Sequence, residues 1–520
     1  VHTFTRIALT LGFSSFVLGS LSAEAASTLR VALNADIRST DPGVNRDENT
    51  DAVVLHIVEG LVAYREDASV GMLLASKVEV SAEGLEYRFT LRDGVKFHNG
   101  AALTSADVLW TWKRYLDPQT QWRCLADFDG RGVAKVADIS APDPLTVVFT
   151  LDKPNGLFLA QMARSDCGGT GILHPSSVDA NGKWQAPIGT GPFKLVEWKP
   201  GQYVDLQRFT DYSARPETAT DGYTGNKQAF IENLRFMVIP DAASAKAALQ
   251  SKGVDVLPDV TVMDAHELGA LPGIKTSSSA NMSLNALLFQ TRDPLLKDVR
   301  IRRAIALSLD SEQMVQALTE GTSHANNSVV PDTSPYHKTV QKQGYKANIE
   351  EAKRLLKEAG YNGQPLKIIT NKRYQSVFDM AVLSQAMAQA AGLNIDIETL
   401  EWGTQLERYQ SGAYQIMAFS YSARFDAALN FESVMGDKNQ QPRKVWDNPL
   451  AQGWMLESMR EIVPVKRQAL FDQLHQQMLA DVPMVVMYNG STVGAFQDRV
   501  EGYRSWPIAK PRLWGVKLAD

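Results

Sequence analysis

Arg424, the adjacent pair Lys372-Arg373, and Asp426 are the charged side chains with which this chain could select a ligand. A guanidinium fork holds a phosphate or carboxylate through two hydrogen bonds, and does so best in a cleft of low dielectric. Lys372-Arg373 follows a strand expected over 366–369, and strand ends in open α/β sheets face the ligand crevice. With Arg424 the pair would clamp one anionic group. Asp426, two residues on from Arg424, carries the opposite charge. Trp402, Tyr421 and Phe425 offer flat apolar faces with polar edges, a surface suited to sugar rings or bases. Ser422 lies beside Tyr421 as a further polar contact. Asn34, Asp36 and Arg38 leave the end of the first strand and are expected to face the same crevice from its other side.

The chemistry missing from the chain is equally informative. There is no G-x-S-x-G elbow, and His266-Glu267 runs on into Leu268-Gly269-Ala270, so no H-E-x-x-H helix forms. His56, His98, His174, His266, His324, His337 and His475 are scattered without the spacing of metal ligands. Neither an enzyme nor a metal or other cofactor is expected, and a nickel or haem binder or a secreted hydrolase is the weaker reading. The net charge of −5 argues against nucleic acid as a partner.

Arg6, the apolar stretch Ile7 to Leu21, and Ala23-Glu24-Ala25 read as a secretory leader, with residues 1–25 removed and the rest exported. In that oxidising setting the two cysteines, Cys124 and Cys167, are expected to form a disulfide rather than two free thiols.

The elements that must position these groups alternate along the chain. Strands are expected at 28–33, 86–91, 146–151, 193–198, 234–239, 366–369, 395–397 and 484–487. Helices are expected from Asn49 into Glu59-Gly60-Leu61, after the capping box Thr104-Ser105-Ala106-Asp107, and at 242–252, 298–309, 350–359, 376–391 and 465–480. The strand–helix–strand run from Leu366 to Ile397 implies a parallel pair.

The order of segments resembles the large extracytoplasmic solute-binding proteins of family 5, which serve peptide, nickel and opine ABC importers. The resemblance rests on Leu91-Arg92-Asp93-Gly94-Val95-Lys96-Phe97-His98-Asn99-Gly100 followed by Leu103 to Val108. Glu59-Gly60-Leu61, Gly189-Thr190-Gly191-Pro192-Phe193, Asp298-Val299-Arg300 with Arg303-Ala304-Ile305, and Glu351-Ala352-Lys353 through Gly360-Tyr361 recur in the same order. Phe97 and Trp112 read as core and Asp107 as a cap, so these motifs identify a scaffold and not a ligand.

The resemblance implies a bilobal α/β periplasmic-binding-protein fold of the cluster C type. Lobe I would comprise 26–280 plus 488–520, with an inserted subdomain near 60–205, and lobe II would comprise 281–487. Met282 to Asn285 and Asn489-Gly490 would be the hinge crossings. It further implies a periplasmic monomer that closes on a small ligand and delivers it to the membrane permease of an ABC importer.

Peptide-binding members place an Asp against the peptide ammonium where this chain has Arg424 within Tyr421-Ser422-Ala423-Arg424-Phe425-Asp426, and an Arg near Lys372-Arg373. That loss disfavours an ordinary peptide, and among opine-type members the chain as a whole resembles the agrocinopine-binding proteins, whose ligands are opine sugar phosphodiesters. A local shift of two residues would return the role to Asp426 and make the ligand an oligopeptide or amino-acid conjugate.

Overall fold

The computed structural model describes residues 27–519 apart from Arg373, so the expected leader and one member of the expected clamp lie outside the described residues. Ten strands form the main sheet. In chain order they are β1 (Thr28–Leu33), β2 (Phe193–Lys199), β3 (Tyr203–Arg208), β4 (Asn233–Val238), β5 (Val256–Leu257), β6 (Ile274–Phe289), β7 (Leu366–Thr370), β8 (Ile395–Thr399), β9 (Ile416–Tyr421) and β10 (Met484–Gln497). Their order across the sheet is β8-β7-β9-β6-β10-β5-β1-β4-β3-β2. The fold is the mixed, bilobal α/β arrangement that the segment order implied, and the central pair β6 and β10 passes from one half into the other.

That passage is where the ladder breaks. β6 and β10 pair antiparallel from Ile274↔Gln497 to Ala280↔Ser491, lose register, and resume at Leu284↔Asn489. Side chains replace the missing rungs. Asn489 Nδ2 donates to the Ser283 carbonyl at 2.9 Å, and Asn489 Oδ1 accepts from Asn326 Nδ2 at 2.9 Å and from the Asp332 amide at 3.1 Å. A Cβ on Gly490 would stand 2.4 Å from Ser283 Oγ, so a side chain here would displace that hydroxyl, which accepts from the Gly490 amide at 3.2 Å. The strand expected to end at Met487 therefore continues through this crossing to Gln497.

Directionality then fixes what faces the break. β9 runs antiparallel to β6, from Ile416↔Phe289 to Tyr421↔Leu284, and so advances toward it. β7 is parallel to both β8 and β9, so all three end on the same side. In the other half, β1 is parallel to β5, which pairs antiparallel with β10 at Val256↔Phe496 and Leu257↔Ala495, so β1 also ends toward the break.

A separate four-stranded antiparallel sheet packs around buried Tyr87, Phe89, Phe97 and Trp112. The helix that covers it, α1 (Ser105–Tyr115), starts at the expected capping box, with Asp107 accepting from the Thr104 amide at 2.8 Å. One expected helix is shorter than its sequence suggests. The segment after Glu48 is helical only to Val54. Beyond it Gly60 meets a crossing chain so closely that a Cβ would lie 2.1 Å from the Gly169 carbonyl, which leaves room for glycine alone.

Candidate functional site

Three adjacent parallel strands deliver the expected lobe II residues to one edge. Lys372 follows β7, Trp402 follows β8, and Ser422 with Arg424 follows β9. Asn34, Asp36 and Arg38 follow β1 on the opposite side of the break. Parallel strands ending at a crevice are where ligands sit in open α/β sheets.

Arg424 is exposed, and its Nη1 donates to the backbone carbonyls of Ser422 at 3.2 Å and Ala423 at 3.1 Å. No carboxylate pairs with it among the described residues. Desolvation of part of its length and, next, the Arg164 guanidinium from the other lobe pull it below the ordinary arginine value. That neighbour is itself neutralised, because Arg164 bonds Asp166 at 2.7 Å and Asp127 at 2.5 Å. Burial pushes Asp166 upward, but Arg164 and Arg123 outweigh it and hold the carboxyl below its usual range. The segment is tied by the Cys124–Cys167 disulfide, with Cα atoms 5.6 Å apart. Cys124, Asp127 and Cys167 converge as metal ligands would, but both sulfurs are spent on the disulfide.

Asp426 has a different environment from Arg424. It is the N-cap of α2 (Ala427–Val434), accepting from the Ala428 amide at 2.8 Å. Both of its oxygens accept from Arg467 at 2.7 Å, and both residues are buried. Its carboxylate is already fully partnered inside the protein.

The aromatic residues divide similarly. Tyr421 is buried and its hydroxyl lies 3.3 Å from that of Tyr409. Trp402 stacks on Phe419 at 6.0 Å with Tyr374 against its edge at 5.1 Å. Phe425 packs edge-on against Tyr64, 361 positions earlier in the chain, at 5.1 Å. Lys372 is exposed and lies 5.1 Å over the Phe378 ring. Across the break, Asn34 and Arg38 are exposed. Asp36 is committed internally, accepting from the Trp198 indole at 3.0 Å and the Gly201 amide at 2.7 Å.

Sequence reasoning missed Arg467, Tyr64 and Arg164. Arg467 sits in Val465-Lys466-Arg467-Gln468, which reads as an ordinary solvated helix face. Arg164 and Tyr64 reach the loop only through long-range packing. The cap role of Asp426 was missed as well, although an Asp before Ala-Ala-Leu is a helix start signal.

Two of the family-like motifs occupy a second, buried polar cluster. Glu59 accepts from Thr190 at 3.0 Å, Tyr212 at 2.8 Å and Lys227 at 3.1 Å, and Lys227 lies 4.4 Å over the Trp514 ring. Glu59 and Lys227 are both fully buried, and burial pulls the lysine below its ordinary value. The cluster joins the Glu59-Gly60-Leu61 and Gly189-Thr190-Gly191 motifs to the C-terminal segment, so their role is structural.

Comparison with known proteins agrees with this architecture. The family profile described as bacterial extracellular solute-binding proteins, family 5 Middle, matches residues 69–442. The dipeptide-binding protein of Escherichia coli strain K12 is 25% identical over 86% of this chain and 85% of its own length. Among solved structures, HbpA2 from Haemophilus parasuis superposes with a TM-score of 0.79 at 23% identity, covering 95% of this chain and 100% of that one. The binding protein AgaA of A. tumefaciens R10, in complex with agropinic acid, gives 0.67 at 22% identity, covering 95% of this chain and 99% of that one.

Proposed function

Because the chain belongs to the family 5 bacterial extracellular solute-binding proteins, we propose that it captures a small anionic ligand of the opine sugar phosphodiester type, agrocinopine among them. Members of this family are periplasmic ligand-binding components of ABC importers and not enzymes. The finer reading rests on one observation. Arg424 stands exposed at the strand edge with no carboxylate partner among the described residues, while Asp426 beside it is spent on Arg467. A guanidinium at that edge attracts a phosphate and repels an ammonium. Lys372 and Arg373 after β7 supply the second half of the clamp, and Trp402 supplies a ring face for a sugar.

On this reading the lobes run over 26–280 with 488–520 and over 281–487. They close about Met282 to Asn285 and Asn489-Gly490, where the ladder loses register and the Asn489 side chain bonds the Ser283 carbonyl. The closed protein then docks on the permease as a monomer.

A peptide or amino-acid conjugate is the second reading, favoured by the dipeptide-binding relative. Arg424→Ala separates the two. A lost charge-assisted contact of about 1.5–3 kcal/mol weakens phosphodiester binding by about 10- to 100-fold. Thermal stability stays within about 0.5 kcal/mol, as for other exposed substitutions. Peptide affinity that holds or rises while no phosphodiester binds would favour the second reading.

A further inference from the structure

The loop between β9 and α2 is clamped at both ends by groups that no ligand needs to touch. On its helical side, Arg467 projects from the helix Pro464–Asp481 and spends all its nitrogens on protein acceptors. Nη1 and Nη2 bond the two Asp426 oxygens at 2.7 Å each, and Nε bonds the Ser458 carbonyl at 2.7 Å. Its guanidinium carbon lies 5.3 Å from the ring centres of both Tyr336 and Phe471. Burial opposes the charge, but Asp426 outweighs it and raises Arg467 above the ordinary arginine value.

The loop backbone is held as well. Asn430 Nδ2 reaches back to the Arg424 carbonyl at 3.1 Å and the Asp426 carbonyl at 3.3 Å. On the far side, Phe425 meets Tyr64 at 5.1 Å, and Tyr64 is itself fixed by its hydroxyl on the Ala160 carbonyl at 2.8 Å. Three successive residues therefore do three different things: Arg424 faces solvent, Phe425 packs against Tyr64, and Asp426 faces the core.

We propose that Asp426 and Arg467 are positioning residues for this loop. Their buried pair sets Arg424 toward the crevice and Phe425 against Tyr64, and it withholds Asp426 from ligand. The pair could release a carboxylate to a ligand ammonium only by leaving Arg467 buried and unpaired, which is strongly unfavourable. The same pair thus fixes both the charge that the crevice presents and a contact between the lobes. Only the binding arm of the test rests on the anionic-ligand reading.

Hydrogen exchange on the ligand-free full chain, followed by titration with an agrocinopine-type phosphodiester and with a tripeptide, tests this. Asp426→Asn is expected to speed exchange of the 422–428 amides by about tenfold and to weaken phosphodiester binding, because a loosened loop no longer holds Arg424 in place. Arg467→Lys, which keeps the charge without the fork, is expected to give a smaller effect of the same sign and guards against an Asp426→Asn chain that fails to fold. Phe425→Ala leaves the pair intact and should leave exchange at 426–434 unchanged. Unchanged loop exchange in Asp426→Asn together with lost tripeptide binding would overturn the proposal and make Asp426 a ligand group. Faster loop exchange in a protein that ignores the phosphodiester would uphold the positioning role and sink the anionic-ligand reading alone.

Discussion

Two residues apart in sequence, Arg424 and Asp426 have opposite fates, and burial decides between them. Sequence alone leaves both available, because the partner that claims Asp426 lies 41 positions away on another helix. The same logic makes the Glu59–Lys227 pair a prediction at this scale. Both members are fully buried, so removing one leaves an unpaired charge in the core. Lys227→Met is expected to destabilise the fold by about 3–5 kcal/mol, read from urea unfolding. A change below about 1 kcal/mol would mean that Thr190 and Tyr212 suffice for Glu59. The motif residues themselves were legible as scaffold, whereas the lysine that completes them carries no sequence signal.

At the scale of elements, periodic segments read well and long-range closures did not. The alternation in Glu86–Leu91 and the capping box at Thr104 announced their strand and helix directly. The helix that stops at Val54 did not, because no glycine or proline in the run from Asn49 to Glu59 marks its end. β10 was read short for a related reason. Asn489-Gly490-Ser491-Thr492 looks like a loop, yet the strand passes through it to Gln497.

The Cys124–Cys167 bridge, expected from composition and export, spans 43 residues and ties down the segment that carries Arg164. Loop-closure entropy assigns it about 4 kcal/mol, so the Cys124→Ala/Cys167→Ala double variant should unfold at lower denaturant by that amount. Unaltered unfolding would show that the surrounding aromatic packing holds the segment without the bridge.

For the whole molecule, buried histidines set an acid limit. Burial lowers His56 to about 3, His98 to about 4 and His337 to about 4, from an ordinary value of 6.5. His56 Nε2 accepts from the Leu513 amide and Nδ1 faces the Ala52 carbonyl, an arrangement that needs the neutral ring. Below pH 6.5 the unfolded chain takes up protons that the folded chain refuses. The stability that these histidines contribute is therefore fully present above that pH and lost as pH falls toward 4, and Asp51, raised by burial to about 6, offsets part of that loss. Unfolding midpoints at neutral and mildly acid pH check this, and a midpoint that rises on acidification would contradict it.

The bilobal scaffold and the edge of the crevice were legible from segment order, since strand direction alone sends the β1, β7, β8 and β9 ends to the break. Which of the edge side chains remain free was not legible, because packing decides that. The most direct measurement is titration calorimetry of the mature protein with an agrocinopine-type sugar phosphodiester, a tripeptide mixture and the matching phosphate-free disaccharide. One-to-one binding of the phosphodiester alone is the expected result. Binding of the peptides in its place would contradict the anionic reading and leave the family and its transport role intact.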